Sequence, residues 1–476
     1  MSPYLSAMAE HDGLPARPRA WSMAVIWVGL AMSVLDTSIA NVALPTLANE
    51  LHATASESIW VINAYQLGMV MLLLPLAACS ERIGYRRVYL TGMAAFTLAS
   101  LVCVFAPNLL VLALGRGLQG MGAAGIMGMN AGLLRRILPH RILGKAFGAN
   151  ATLIGVMTAA APTIASTILS LGSWRWLFAV NAPFCLFALA VGPLVLPANE
   201  LDRRKFDWIS AAMSASLFAS LVVGADLISR NANLALGAGL LAAAAVFAVV
   251  LVRGAWDQTA PLFPVDLLRI RLFGLSIATS TTSFCAQLMG AVTMPFLFQQ
   301  GLHRSVLQTG LLMTPWPVGT AAASAVAGYL ADKLPGAVLN SVGLLVMAAG
   351  LFLLAAMPAD VDNLGIVWRT AVCGAGFGFF QSPNNRTMVL ATPRQRGGAT
   401  GGAIATARVT GQSLGAVLVA LLFGLLPIGE AGRMCLALAG GLSVAAAVVS
   451  SLRFGERLPA DQPRDVEAEV EAAAEG

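Results

Sequence analysis

Asp36 stands in Ser33-Val34-Leu35-Asp36-Thr37-Ser38-Ile39-Ala40-Asn41-Val42-Ala43-Leu44-Pro45, a stretch that otherwise reads as apolar helix. An ionised carboxylate at hydrocarbon depth costs about 2.5 to 3.5 kcal/mol on insertion scales, so it requires a partner, a proton or a wet cavity. Arg116, in another apolar run, is the base best placed to meet it. Counted from the outer ends of their segments, Asp36 lies about eight residues in and Arg116 about seven, roughly 10 to 12 Å by helical rise. A neighbouring guanidinium favours the charged form of a carboxylate and desolvation favours the neutral form, so a change of exposure between two conformations could load and release a proton. The plainer alternatives are an Asp held in a helix contact and an Arg that ties two helices through backbone carbonyls.

Arg408 lies about ten residues, roughly 15 Å, from the inner end of its run, too deep to snorkel comfortably. A buried structural or gating role is favoured over substrate contact. Asp226 is close enough to the outer end of its run to reach water. Asn41, Tyr65, Gln66, Gln287 and Asn384 are polar or aromatic groups within apolar runs, suited to a wet cavity that accepts amphipathic cations. Each alone serves equally well as interhelical glue.

The elements that position these residues follow from composition. With 58% apolar and 11% charged residues in 476, the chain falls outside the soluble range and reads as an all-α membrane protein. The first apolar block, about 22–44, is too long for a signal-peptide core and is retained as a span. Windows of about twenty apolar residues recur at about 22–44, 58–79, 88–106, 109–133, 143–169, 176–197, 208–228, 233–252, 272–298, 309–331, 337–357, 364–390, 400–426 and 430–452.

Alternate loops carry Arg82, Arg86 and Arg87; Arg135, Arg136, Arg141 and Lys145; Arg203, Arg204 and Lys205; Arg253, Arg269 and Arg271; Lys333; Arg394 and Arg396. The opposite loops hold single arginines, so both termini are expected in the cytoplasm. The expected organisation is an N-terminal tail (1–20), a six-helix bundle (21–198), two inserted helices with linkers (199–270), a second six-helix bundle (271–455) and an acidic tail (456–476). Ala77-Ala78-Cys79-Ser80-Glu81-Arg82-Ile83-Gly84-Tyr85-Arg86-Arg87 and Gly328-Tyr329-Leu330-Ala331-Asp332-Lys333-Leu334-Pro335-Gly336 place acid, base and glycine in similar order, as duplicated bundles would.

Several chemistries find no footing. The basic residues sit in short loops, so nucleic acid is not an expected partner. Six cysteines form no CxxC pair and four histidines are scattered, so neither a metal nor any cofactor is expected. Gly115-x-Gly117-x-x-Gly120 matches a dinucleotide pattern, but it lies inside an apolar helix, where Gly120, Ala124 and Gly128 on one face suit close helix packing. No Walker sequence and no convergent nucleophile, base and acid set point to an enzyme.

Leu35-Asp36-Thr37 to Asn41-Val42-Ala43-Leu44-Pro45, Trp60-Val61-Ile62-Asn63-Ala64-Tyr65, the two loops above, Leu114-Gly115-Arg116-Gly117-Leu118-Gln119-Gly120-Met121-Gly122, Trp174-Arg175-Trp176 with Asn181-Ala182-Pro183, Gln381-Ser382-Pro383-Asn384-Asn385, and Arg408 with Gly411 and Gly415 together resemble motifs of the major facilitator superfamily. Within it, the match is to the fourteen-span drug:proton antiporters. The resemblance implies two six-helix bundles plus two inserted central helices, and a gating or structural role for Glu81, Arg82, Gly84, Arg86, Asp332, Lys333, Pro162 and Arg408. It departs from the pattern at Ala77 and Glu81, and at Ala161, Ala165 and Ser166, where glycines are usual.

What the resemblance implies is a monomeric bacterial inner-membrane exporter, free of cofactors, that uses protons to expel lipophilic cationic drugs or antiseptics. Its partners are a small-molecule substrate, protons and the bilayer, with the need for a periplasmic adaptor left open. A proton-coupled carrier for one metabolite and a non-transporting membrane sensor are the alternatives.

Overall fold

Backbone in hydrocarbon has no water to bond, so long apolar runs close their hydrogen bonds internally, as helices. The computed structural model describes residues 13–198, 207–229, 233–256, 265–331, 333–358, 360–393 and 396–454, and the regular elements among them are helices. The expected acidic tail, Asp332 and the loop bases Arg203, Arg204, Lys205 and Arg394 lie outside the described residues, as does the side chain of Glu81.

The first half contains α1 (Ala16–Glu50), α2 (Trp60–Ile83), α3 (Tyr85–Val104), α4 (Leu109–Ile137), α5 (His140–Leu171) and α6 (Asn181–Val195). Next come α7 (Trp208–Ser229) and α8 (Leu234–Ala255). The second half contains α9 (Arg271–Phe296), α10 (Val306–Met313), α11 (Pro315–Leu330), α12 (Gly336–Ala355), α13 (Asn363–Leu390), α14 (Gly397–Leu425) and α15 (Ile428–Ser451). Side chains in the loops set several starts. Asn108, Asn233 and Asp362 accept from the backbone N–H of Val111, Leu236 and Gly365, and Ser305 with Gln308 forms a reciprocal cap on α10.

Twelve helices among the described residues are long and apolar enough to cross a membrane. The other two of the fourteen expected spans are also helical. One is divided at Thr314, where Pro315 begins α11; the other, α13, has 28 residues but carries Arg369, Gln381, Asn384, Asn385 and Arg386.

In the first half α2 and α3 pack on α4, and α1 packs on α5 and α6; in the second, α11 and α12 pack on α13, and α9 on α14 and α15. The tightest crossings depend on missing side chains. A Cβ on Gly120 would lie 2.0 Å from the Tyr65 carbonyl oxygen, and one on Gly374 would lie 1.9 Å from that of Trp316. The α2–α4 and α11–α13 crossings therefore use the same device, close backbone approach at glycine.

α7 pairs with α8 and also lies against α2 and α14, fastening the inserted pair to both halves. Asp207 caps α7 through the hydroxyl and N–H of Ser210, bonds that hold its carboxyl below the usual range. Near the other end, Asp226 is buried and accepts a 3.0 Å bond from Trp60 Nε1, rather than reaching water as its position suggested.

Candidate functional site

α1 and α4 bring Asp36 and Arg116 together inside the first bundle, where they are 2% and 1% exposed. Arg116 Nη1 forms an ion pair with Asp36 Oδ2 and donates to Gln119 Oε1 at 2.6 Å. Its Nε donates to the Val61 carbonyl at 3.0 Å. The other carboxylate oxygen, Oδ1, accepts from Gln119 Nε2 and Asn181 Nδ2, both at 2.8 Å. Gln119 Nε2 also reaches Ser100 Oγ at 2.8 Å. The guanidinium carbon lies 4.3 Å from the centroid of the Tyr65 ring and 5.6 Å from that of Phe178.

Each helix contributes by simple geometry. Arg116 and Gln119 are three apart on α4 and share one face, Asn181 opens α6, and Tyr65 and Val61 come from α2. A buried ion pair recovers its desolvation cost only when the remaining donors and acceptors are also satisfied. Here Gln119 and Asn181 complete the carboxylate while Val61, Gln119 and the Tyr65 face serve the guanidinium.

Tyr65 links this cluster to the space between the halves. Its hydroxyl donates to the Ser33 carbonyl at 3.4 Å, and its phenol is close enough to Arg408 of α14 to interact electrostatically. Next to it, Gln66 Nε2 donates to Gln412 Oε1 at 3.2 Å, joining α2 to α14. Three more hydrogen bonds join the halves: Ser56 Oγ to the Ala420 carbonyl at 2.9 Å, Thr163 with Thr314 at 2.9 Å, and Gln299 Nε2 to the Val42 carbonyl at 3.5 Å. All four lie away from the end that carries Arg82, Arg86, Arg135 and Arg136. Asn41 Oδ1 and Gln287 Oε1, also in this central region, have no hydrogen-bond partner among the described residues.

The remaining residues singled out from the sequence lie elsewhere. Asn384 is fully buried inside the second bundle, where its amide donates to Ser280 Oγ at 2.9 Å and its oxygen accepts from Arg453 Nη1 at 2.8 Å. In this conformation it joins helices instead of lining a central wall. Arg82 sits in the last turn of α2, and Gly84, between α2 and α3, has φ +103°, a conformation that strains other residues. Arg86 donates to the Pro193 carbonyl at the end of α6, and Lys333 donates to the Tyr329 hydroxyl at 2.7 Å. Pro162 lies within α5, and its carbonyl would be 2.4 Å from a Cβ on Gly310 of α10.

Sequence reasoning passed over Gln119, Asn181, Gln412 and Arg453. The first two were within reach: Gln119 follows Arg116 by three positions, and Asn181 is a polar residue opening an apolar run. Arg453 follows the last span, and nothing in its spacing marks it as buried against Ser276 and Asn384.

A family profile described as Major Facilitator Superfamily matches residues 26–416 and again 279–474. The uncharacterized transporter YebQ of Escherichia coli (strain K12) is 45% identical over 448 residues, covering 94% of this chain and 98% of YebQ. The riboflavin transporter RibZ of Clostridioides difficile (strain 630) is 28% identical, covering 84% and 87%. The multidrug resistance protein Stp of Mycobacterium tuberculosis (strain CDC 1551 / Oshkosh) is 28% identical, covering 82% and 73%. In fold, the chain is similar to a bacterial homolog of the human lysosomal transporter Spinster, with a TM-score of 0.66 at 14% identity over 92% of this chain and 97% of that one. With most of its length matched by the family profile and a near-full-length relative at 45% identity, this multi-pass membrane protein belongs to the Major Facilitator Superfamily and is a transporter, not an enzyme.

Proposed function

We propose that this transporter is a proton-coupled antiporter of the fourteen-span drug-exporting type, moving lipophilic compounds out of a bacterial cell across its inner membrane by alternating access. The observation that carries the reading is the buried Asp36–Arg116 pair beside the crossing between the halves. Such a pair is stable only while its bonds are complete. When the bundles rock, loss of the counter-charge in a poorly hydrated site makes the carboxylate take a proton, and re-pairing ejects it.

The basic loops support a cytoplasmic position for the end bearing Arg82 and for both termini. The interbundle bonds then close the outer side, and this conformation faces the cytoplasm. Similarity to Stp supports export of drugs. Similarity to RibZ at the same identity supports a second reading, a carrier dedicated to one metabolite, and Ala161, Ala165 and Ser166 in α5 agree with it.

A cationic cargo would need a carboxylate open to the central space, and Asp36 is enclosed by Arg116, Gln119 and Asn181. Purified protein in liposomes, exposed to quaternary ammonium, neutral and anionic aromatic compounds, tests the coupling. Cargo-induced proton release is the expected response. Co-movement of cargo and proton makes the protein a symporter, and absence of any proton response to transported cargo contradicts coupling.

A further inference from the structure

Among the described residues, Arg408 is a cation of the central region that no ion pair compensates. It sits on a face of α14 made by Gly401, Ala405, Arg408 and Gln412, spaced as one helical stripe, and all four retain some exposure. A Cβ on Gly401 would meet nothing within 4 Å, so the stripe is open at its basic end. Among the described residues the Arg408 guanidinium has neither a hydrogen bond nor an ion pair, and its electrostatic neighbour is the neutral phenol of Tyr65.

The acids nearby are already committed. Asp36 is 2% exposed and held by Arg116, while Asp226 is buried on the inserted pair beside Trp60. The Asp36–Arg116 pair contributes no net charge and Asp226 is engaged by Trp60, so among the described residues Arg408 carries a charge into the central region that neither acid pairs with. A partly desolvated guanidinium attracts an anion more strongly than it would in water and repels a cation by the same field. Its planar donors match a carboxylate or sulfonate in bidentate geometry.

We propose that Arg408 is the substrate-recognition residue of the central site and that the cargo is a lipophilic organic anion, a carboxylate or sulfonate on an apolar aromatic body. The proposal rests on the transport reading above for its context, but its recognition step is testable without proton coupling. Three probes share one ring system: 1-naphthoate, 1-naphthamide and trimethyl(1-naphthyl)ammonium. Calorimetric titration of the full chain in lipid nanodiscs is expected to give 1-naphthoate an affinity about tenfold or more above the other two, the range of a charge-assisted hydrogen bond. Arg408→Gln removes that preference, and Arg408→Lys, which keeps the charge without the fork, restores part of it.

A wild-type protein that binds the ammonium probe as well as naphthoate overturns the proposal. So does one that does not distinguish naphthoate from naphthamide, and these two comparisons require no variant to fold. Proton-driven transport of the ammonium probe would leave antiport standing and remove the anion site. Arg408-dependent naphthoate binding without proton-linked movement would do the reverse.

Discussion

At the scale of residues, the first bundle is built around one carboxylate and the groups that make its burial tolerable. Removing one partner leaves a buried charge uncompensated, so Arg116→Gln should lower stability by about 3 to 5 kcal/mol. The Asp36→Asn/Arg116→Gln pair should cost less than the two single changes together, as read from denaturation of the detergent-solubilised protein. Asp36 and Arg116 were legible because a charge in an apolar run must be explained. Gln119 and Asn181 were visible as polar positions but their role was not, because neutral amides are common in spans and their spacing does not reveal which group they bond. Asn384 illustrates the same limit: its partner Arg453 lies 69 residues away and past the last span.

At the scale of elements, glycine sets how closely helices approach. Gly120→Leu would drive a side chain into the Tyr65 carbonyl, and Gly374→Leu into that of Trp316, so each should abolish a folded monodisperse product in size-exclusion chromatography. The α5–α10 crossing shows why α5 could be misread. Ala161, Ala165 and Ser166 stand where glycines were expected, yet the close approach is retained because Gly310 on the opposing helix, having no side chain, supplies the clearance. A Cβ there would lie 2.1 Å from Ser166 Oγ. Gly310→Val should therefore part α5 from α10 and raise the labelling of a Thr163→Cys probe by a membrane-impermeant maleimide added from outside. Most helices were readable from the length of apolar runs, since hydrocarbon thickness fixes that length. The break at Thr314 was not, because Pro315 lies in a run that is apolar on both sides of it.

At the scale of the molecule, two bundles meet through Ser56–Ala420, Gln66–Gln412, Thr163–Thr314 and Gln299–Val42, and α7 spans the seam by packing on both α2 and α14. If transport requires this side to open, a reducible cross-link between Ser56→Cys and Ala420→Cys should stop it, and reduction should restore it. The native cysteines are all buried, which keeps the background low. The distribution of loop arginines supports an orientation with both termini in the cytoplasm, whereas the identity of the cargo was not legible, because the charge of a central wall depends on which side chains are already paired. The most direct measurement compares Asp36→Asn with wild type in proteoliposomes, using one transported compound for both counterflow exchange and accumulation driven by a pH gradient. The prediction is that Asp36→Asn retains counterflow and loses gradient-driven accumulation. Gradient-driven accumulation at the wild-type level by Asp36→Asn would contradict proton coupling through this carboxylate.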